Sequence, residues 1–192
     1  MVMYAIGTGI GGGVVINKQL VLGNSGQAGE IGHMTVEPNG TLCNCGNHGC
    51  LEQYASGPAI RAAALKAIAH GATTILGEMV DYDLNKMTPE VVFNAALKGD
   101  EIAKNIYETA GYYLGIAIGN SIVQLEPERI VIGGGIAQAG EILFAPMRRA
   151  IQEHVHLVPL ERIQIVPAQL GNNAGVIGTS MWAEYMVRRK AL

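Results

Sequence analysis

All three cysteines of the chain lie in one short, glycine-containing segment, at Cys43, Cys45 and Cys50, and His33 lies ten residues before the first of them. Three thiolates and one imidazole form the closed tetrahedral ligand set that is typical of structural zinc. Gly46 allows a sharp turn that brings the thiolates onto one ion. The segment therefore predicts a structural zinc site with these four side chains as ligands.

Other interpretations of the cysteines are less favoured. Free cysteines are often ordinary core residues, but core cysteines are not usually clustered within eight residues of one loop. Three is an odd number, and Cys43 and Cys45 are too close in sequence to pair easily, so a disulfide framework is a poor fit. His48 is a competing ligand. His33 is preferred because the chain from Cys45 to Cys50 closes around His48 and turns it outward.

Two carboxylates flank the cysteine cluster, Glu30 on one side and Glu52 on the other. Both belong to a loop-rich segment, residues 23–53, that carries every predicted zinc ligand. A metal-bound loop that fixes two acids beside it suggests a site that binds a polar ligand.

A first glycine-rich loop follows the apolar amino-terminal segment, and Gly7, Gly9 and Gly12 match the spacing of the dinucleotide-binding fingerprint. That fingerprint requires a helix to begin at the loop, whereas residues 14–22 predict a β-hairpin. A glycine loop in a hairpin can still wrap a phosphate with its backbone N–H groups, and Thr8 adds a hydroxyl. The alternative is a tight turn with no ligand.

A second glycine run, Gly133 to Gly135, follows a buried strand and precedes a helix. Consecutive glycines let a ribose or a flat ring approach the backbone closely, although a plain strand-to-helix turn is the simpler alternative. Two such loops, far apart in sequence, suggest the two halves of a nucleotide cleft.

The sequence predicts strands that alternate with helices, which indicates a sheet with helices packed on it. Ser56, Thr88 and Asp100 are predicted helix N-caps, with Pro89 at the first position of its helix. A helical repeat of apolar residues from Ile102 to Ile118 gives the helix after Asp100 one buried face. The predicted strands are 1–7, 14–16, 20–22, 129–132 and 162–166, and the other predicted helices are 59–69, 89–97, 141–153 and 173–187.

Composition narrows the class of protein. A chain of 192 residues with 49% hydrophobic and 15% charged residues can bury a sizeable core. The net charge of −3 gives no electrostatic reason to expect nucleic acid or a membrane surface as partner. There is no signal-peptide pattern and no apolar segment of membrane-spanning length. With reduced cysteines, this pattern predicts a cytoplasmic protein.

Together these motifs resemble the ROK family of repressors, open-reading-frame proteins and sugar kinases. The resemblance is carried by the order and spacing of residues 7–13, 29–33 and 43–52, and by residues 130–136, which are similar to the adenosine loop of the family. It extends over essentially the whole chain.

The resemblance implies an α/β fold, namely one lobe of an actin-like (ribonuclease-H-like) ATPase with a zinc-bound loop. It implies that Glu30, His33 and Glu52 contact sugar hydroxyls and that His33 also binds structural zinc. It further implies ATP with Mg²⁺ as second substrate and a homo-oligomer, most simply a dimer. The nucleotide-binding residues expected from the two glycine loops are Thr8, Gly9, Gly11, Gly133, Gly134 and Gly135.

One feature departs from the kinases of the family, which carry a general-base Asp and a first phosphate loop upstream of the first glycine loop. The aspartates of this chain are Asp81, Asp83 and Asp100, all in its later helical region. We therefore expect residues 1–192 to be the carboxy-terminal lobe of a longer protein, without the catalytic Asp and inactive alone.

The preferred function is an ATP-dependent hexose kinase, glucokinase-like, that phosphorylates the sugar 6-hydroxyl. The alternative is the sugar-sensing domain of a ROK transcriptional repressor, whose DNA-binding segment would lie upstream, with no nucleic acid bound by this chain. A third interpretation is a zinc-stabilised oligomerisation domain with no ligand.

Overall fold

The structure, a computed structural model, describes residues 1–190. Its centre is a five-stranded mixed sheet in the order β3-β2-β1-β4-β5. The first strand pairs with β2 in antiparallel fashion and with β4 in parallel fashion, and β4 pairs in parallel with β5. The strands are β1 (Val2–Ile6), β2 (Ile10–Ile16), β3 (Gln19–Leu20), β4 (Arg129–Gly133) and β5 (Gln164–Pro167).

The first three strands form two consecutive hairpins. The predicted hairpin around residue 18 is present, but its turn is only Asn17 and Lys18, which have φ of 51° and 64°. Positive φ at both central residues is the signature of the tight turns that match strand twist. The strand β2 starts at Ile10, so Gly11 lies within a strand opposite Ala5 and not in the loop.

Six α-helices lie within residues 1–190, and three of them begin at the predicted caps. The side chains of Ser56, Thr88 and Asp100 each accept a hydrogen bond from a backbone N–H three residues later, at 3.3, 3.3 and 2.8 Å, which satisfies one open donor of each helix. No helix within residues 1–190 is long and apolar enough to cross a membrane. The helices are α1 (Glu52–Ala55), α2 (Gly57–Ala69), α3 (Pro89–Leu97), α4 (Glu101–Leu125), α5 (Glu141–His154) and α6 (Ala174–Lys190).

The core lies between the sheet and the paired helices α4 and α5. These two helices approach closely because α4 presents Gly111 and Gly115, where a Cβ would lie 2.5 Å from atoms of Pro146 and Ala150. The sheet is joined to α4 through Tyr4, whose hydroxyl donates to the carbonyl of Ala117 at 3.0 Å. Burial raises the pKa of Tyr4 to about 12, so the hydroxyl stays protonated.

Besides the earlier start of β2, β3 is only Gln19–Leu20 where residues 20–22 were expected, and two further elements differ from the sequence prediction. The strand expected at 162–166 is instead β5, because residues 160–162 form a short 3-10 turn that delays its start. The short helix α1 was not predicted; it begins at Glu52, directly after the cysteine segment.

The topology sets where the two glycine loops lie. Because β1 and β4 are parallel neighbours, their carboxyl ends are at the same edge of the sheet. Residues 7–9 follow β1 and residues 134–135 follow β4. The fold therefore brings together two loops that are more than 120 residues apart in sequence.

Candidate sugar, nucleotide and metal site

The four predicted zinc ligands lie together. The ligand atoms of His33, Cys43, Cys45 and Cys50 are all within 4.8 Å of one another. Backbone hydrogen bonds within the loop hold this arrangement: the amide of Cys43 donates to the carbonyl of Asn47 at 2.7 Å, and isolated bridges pair Thr35 with Cys50 and Leu42 with His48. Residues 33–50, here called the metal loop, are thus folded around the cluster.

The spacing of these atoms fits zinc. Tetrahedral ligands at zinc–sulfur and zinc–nitrogen bond lengths lie about 3.5–3.8 Å from one another. The Sγ atoms of Cys45 and Cys50 are 3.6 Å apart, and Cys43 Sγ is 3.6 Å from His33 Nδ1. Burial, reinforced by the neighbouring thiols, raises the pKa of Cys50 to about 12 without metal, so zinc binding must displace its proton.

The rival ligand, His48, is not part of this group. Its Nδ1 lies 3.0 Å from the carbonyl oxygen of Gly40, on the exposed side of the loop. Nδ1 of His33 faces Cys43, which leaves Nε2 of His33 for another partner.

The carboxylate of Glu52 lies between the metal cluster and the first glycine loop. Its Oε1 is 3.2 Å from Cys43 Sγ and 3.7 Å from His33 Nδ1. On the other side, a Cβ on Gly9 would lie 3.3 Å from Glu52 Oε2. The start of α1 therefore places one half-buried carboxylate in contact with Cys43 and His33 and beside the turn that follows β1.

Glu30 is placed differently from Glu52. It is exposed and immediately precedes the 3-10 turn Ile31–His33. That turn packs directly on β2, since a Cβ on Gly32 would lie 2.0 Å from the carbonyl oxygen of Ile10. Glu30 and His33 are therefore held at the two ends of a turn that is fixed to the first glycine hairpin.

Two adjoining cavities open at the sheet edge where the glycine loops meet. The first, of about 580 Å³, is lined by Gly7 and Thr8 of the first loop, by Gly135 of the second, and by the amino-terminal ends of α2 and α3. The second, of about 510 Å³, shares Thr88, Pro89, Gly135 and Ile136 with it and extends between α3 and the residues after Gly135. Both predicted glycine loops thus border one continuous concave surface.

The three glycines of the second loop differ in the space available for a side chain. A Cβ on Gly133 would lie 2.9 Å from Cβ of Ala168, and a Cβ on Gly134 would lie 2.2 Å from the carbonyl oxygen of Ile6. Gly134 also has φ of 89°, which only glycine adopts readily. Gly135 has φ of −62°, and its Cβ would meet nothing within 4 Å. Close packing explains the first two, and only the third is open toward the cavities.

This difference predicts that alanine lowers the stability of the protein at Gly134 but not at Gly135. Gly134→Ala adds a left-handed strain of about 1–2 kcal/mol and a backbone clash of about 1–3 kcal/mol, so we expect a loss of about 2–5 kcal/mol in unfolding free energy. Gly135→Ala, the matched control, should change it by less than about 0.5 kcal/mol. Urea unfolding followed by circular dichroism measures both. Equal losses would contradict the assignment of Gly134 as the packing glycine.

Sequence reasoning missed several residues of the larger cavity. Gly57, Pro58 and Arg61 come from α2, and Met87 comes from the loop before α3. Thr88 also lines this cavity but was identified only as a helix cap. The signal that could have found them is the pair of cap-plus-proline helix starts, since the amino-terminal end of a helix favours anions.

Comparison with known proteins places the chain in a family. A sequence model described as the ROK family matches residues 1–185. The glucokinase of Halalkalibacterium halodurans is 42% identical over 184 residues, which cover 93% of this chain and 54% of the relative.

Two solved structures are also similar. A ROK family glucokinase from Streptomyces griseus in complex with glucose and AMPPNP has a TM-score of 0.79 and 33% identity, and covers 92% of this chain and 58% of that chain. A ROK family transcriptional regulator, a homologue of the E. coli MLC protein, has a TM-score of 0.76 and 35% identity, and covers 86% of this chain and 41% of that chain. The α/β fold with its mixed sheet is thus the actin-like ATPase fold of ROK sugar kinases.

The chain spans about half the length of the curated relatives it matches. Within that span the similarity is continuous from the first strand to the last helix. The family match over residues 1–185 and the 42% identity over 93% of the chain agree with the motifs and the fold: the chain belongs to the ROK family.

Proposed function

We propose that this chain is the carboxy-terminal lobe of an ATP-dependent hexose kinase of the glucokinase type. The observation that carries the proposal is the position of the turn at residues 7–9. The carboxylate of Glu52 lies beside Gly9, where a Cβ would come within 3.3 Å of its Oε2, and Gly7 and Thr8 of the same turn line the cavity shared by both glycine loops. A sugar held at Glu52 and a nucleotide held in the cavity would meet at this turn, as phosphoryl transfer requires.

The sugar site consists of Glu30, His33 and Glu52. Carboxylates and an imidazole can make charge-assisted hydrogen bonds to sugar hydroxyls. With Nδ1 of His33 facing Cys43, its Nε2 serves the sugar. The glucose present in the similar Streptomyces griseus structure supports a hexose as substrate.

The metal set is structural. Four protein ligands leave no open position for chemistry on a zinc ion, and the loop they close positions Glu52 and His33. Mg²⁺ would enter with ATP and neutralise phosphate charge, as in other phosphoryl-transfer enzymes. Of the six residues expected to meet the nucleotide, we propose direct contact for Thr8 and Gly135, which line the larger cavity. Gly9, Gly11, Gly133 and Gly134 shape the hairpin and the loop that carry these two residues.

The aspartates of this chain do not supply the general base. Asp100 is committed to the fold: its carboxylate accepts hydrogen bonds from Thr74, Ile75 and Ala103. Although burial alone would raise it, these hydrogen bonds hold the pKa of Asp100 below its ordinary value. None of the three aspartates lines either cavity. The base belongs to the other lobe of the proposed kinase.

The proposal predicts that the 192-residue chain on its own does not phosphorylate glucose, whereas a chimera that supplies the other lobe does. The chimera joins the amino-terminal part of the Halalkalibacterium halodurans glucokinase, 42% identical over the shared region, to Met1. Glucose 6-phosphate formation with ATP and Mg²⁺ measures both proteins. A single lobe cannot align the 6-hydroxyl with the γ-phosphate or exclude water.

Two outcomes would contradict this division of roles. Turnover by the chain alone within tenfold of the chimera would mean that a residue present here, such as Glu30 or Glu52, acts as the base. A folded, zinc-bound chimera that binds glucose and nucleotide but transfers no phosphate would overturn the kinase assignment.

The second candidate is the sugar-sensing domain of a ROK repressor, favoured by the similarity to the MLC-like regulator. A repressor needs the sugar carboxylates and the metal loop but has no need to hold ATP. The open cavity at both glycine loops favours the kinase. Binding of Mg²⁺–ADP to the chain therefore separates the two.

A further inference from the structure

Among residues 1–190, Arg61 of α2 is the only charged side chain that lines the larger cavity. It lies one turn into the helix, beyond the cap at Ser56, and is half-buried. Across the same cavity lie Thr8 of the first glycine loop and Gly135 of the second. A cation in this position faces the space between the two loops.

The guanidinium is held in place but is not neutralised. Its Nε donates to the carbonyl of Met87 at 2.9 Å and its Nη2 donates to the carbonyl of Leu84 at 3.4 Å. These bonds use two of the five N–H donors of the group and leave three. Within residues 1–190, no carboxylate lies within 4.0 Å of it. A half-buried cation without a counter-ion favours the binding of an anion.

The charges around the two cavities differ, so one end of the concave surface favours anions and the other does not. In the described part of the chain, no carboxylate lines the larger cavity, and the amino-terminal ends of α2 and α3, which carry partial positive charge, both border it. The adjoining cavity contains Glu90 together with Phe93, Tyr107 and the amides of Asn94 and Gln138. Phosphates are repelled by Glu90, so the anionic end of a ligand belongs beside Arg61 and an aromatic base belongs in the second cavity.

We propose that Arg61 binds the phosphate groups of the nucleotide and thereby sets the orientation of the nucleotide along the two cavities. This inference rests on the proposed kinase function and adds a residue to its nucleotide site. The bonds to Leu84 and Met87 fix the planar fork before the ligand arrives, so little side-chain freedom is lost on binding.

The test compares three probes that differ only in the phosphate end: adenosine, Mg²⁺–ADP and inorganic tripolyphosphate. Their binding to the 192-residue chain is measured by calorimetry for the parent, Arg61→Gln and Arg61→Lys. Arg162→Gln is the control, because Arg162 is exposed and lines neither cavity, and the change in charge is the same.

We expect Arg61→Gln to weaken ADP and tripolyphosphate binding about 10- to 100-fold, which is the scale of lost hydrogen bonds to a charged group. Adenosine binding should be unchanged, and Arg61→Lys should fall between the parent and the glutamine variant. Affinity of the parent for ADP should decrease with added salt, and Arg61→Gln should flatten that dependence. The control should match the parent throughout.

The contrary outcomes are distinct. If Arg61→Gln weakens adenosine as much as ADP, Arg61 only supports the loop at residues 84–87 and the inference is wrong. If the glutamine variant binds ADP as the parent does, the inference is wrong and the kinase proposal stands. If the parent binds neither ADP nor tripolyphosphate, both fail. If the glutamine variant does not fold, the parent alone decides. Equal salt dependence of its affinities for ADP and for adenosine would overturn the inference.

Discussion

Replacing Cys45 with serine is expected to remove most of the zinc from the chain and to lower its melting temperature on the order of 10 °C. The four ligand atoms lie within 4.8 Å of one another, and a hydroxyl is a poor substitute for a thiolate on zinc. Because a structural metal contributes folding free energy directly, loss of one ligand weakens both metal binding and the loop. Elemental analysis after dialysis, together with thermal unfolding, measures the two effects.

Histidine variants provide the matched control for this prediction. His33→Gln should lose zinc as Cys45→Ser does, whereas His48→Gln should keep about one zinc per chain, because His48 lies outside the ligand group. Full zinc content in Cys45→Ser would show that the cluster is not a four-ligand site. Zinc loss in His48→Gln but not in His33→Gln would mean that His48, and not His33, is the fourth ligand.

Replacing Glu52 with glutamine is expected to weaken glucose binding by about 1.5–3 kcal/mol, or roughly 10- to 100-fold, the contribution of a hydrogen bond to a charged group. The substitution keeps the size of the side chain, and Glu52 is not among the four clustered ligands. Zinc content should therefore stay normal. Titration with glucose followed by NMR measures the affinity, since this method detects the weak binding expected of one lobe.

Glu37→Gln is the control for Glu52. Glu37 is also a half-buried carboxylate of the metal loop, but it accepts a hydrogen bond from Tyr113 at 3.3 Å, and a Cβ on Gly7 or Gly9 would not come within 4 Å of it. The Glu37→Gln substitution should leave glucose affinity unchanged. If both variants bind glucose as the parent does, the sugar role of Glu52 is wrong. If both weaken it equally, the loop as a whole and not Glu52 controls binding.

Much of the fold could be predicted from the sequence because its signals are local. Ser56, Thr88 and Asp100 cap their helices with bonds that span only three residues. The strand at residues 10–13 could not be predicted in this way, because glycine has low strand propensity. Those residues are extended because β1 pairs with them and because Gly12 lets Ile31 approach, where a Cβ would lie 2.1 Å away.

The same distinction applies to the candidate site. The four candidate metal ligands are separated by at most 17 residues, so composition and spacing were sufficient to predict that they cluster. Arg61 lies 26 residues from Met87, its hydrogen-bond partner, and joins Thr8 and Gly135 only when the sheet is complete. No local pattern distinguishes this arginine from one on a solvated helix face. Its role follows only from the tertiary arrangement.

The parallel pairing of β1 with β4 also has a consequence during synthesis. Val2 pairs with Ile130, so 128 residues separate the two strands. A ribosome that adds about 5–20 residues per second needs on the order of ten seconds to supply the second strand. The backbone hydrogen bonds within residues 35–50 are local and can form within that interval, whereas one edge of β1 stays unpaired. Nascent chains should therefore capture zinc before they can hold a nucleotide, and the exposed strand edge is their principal risk of aggregation.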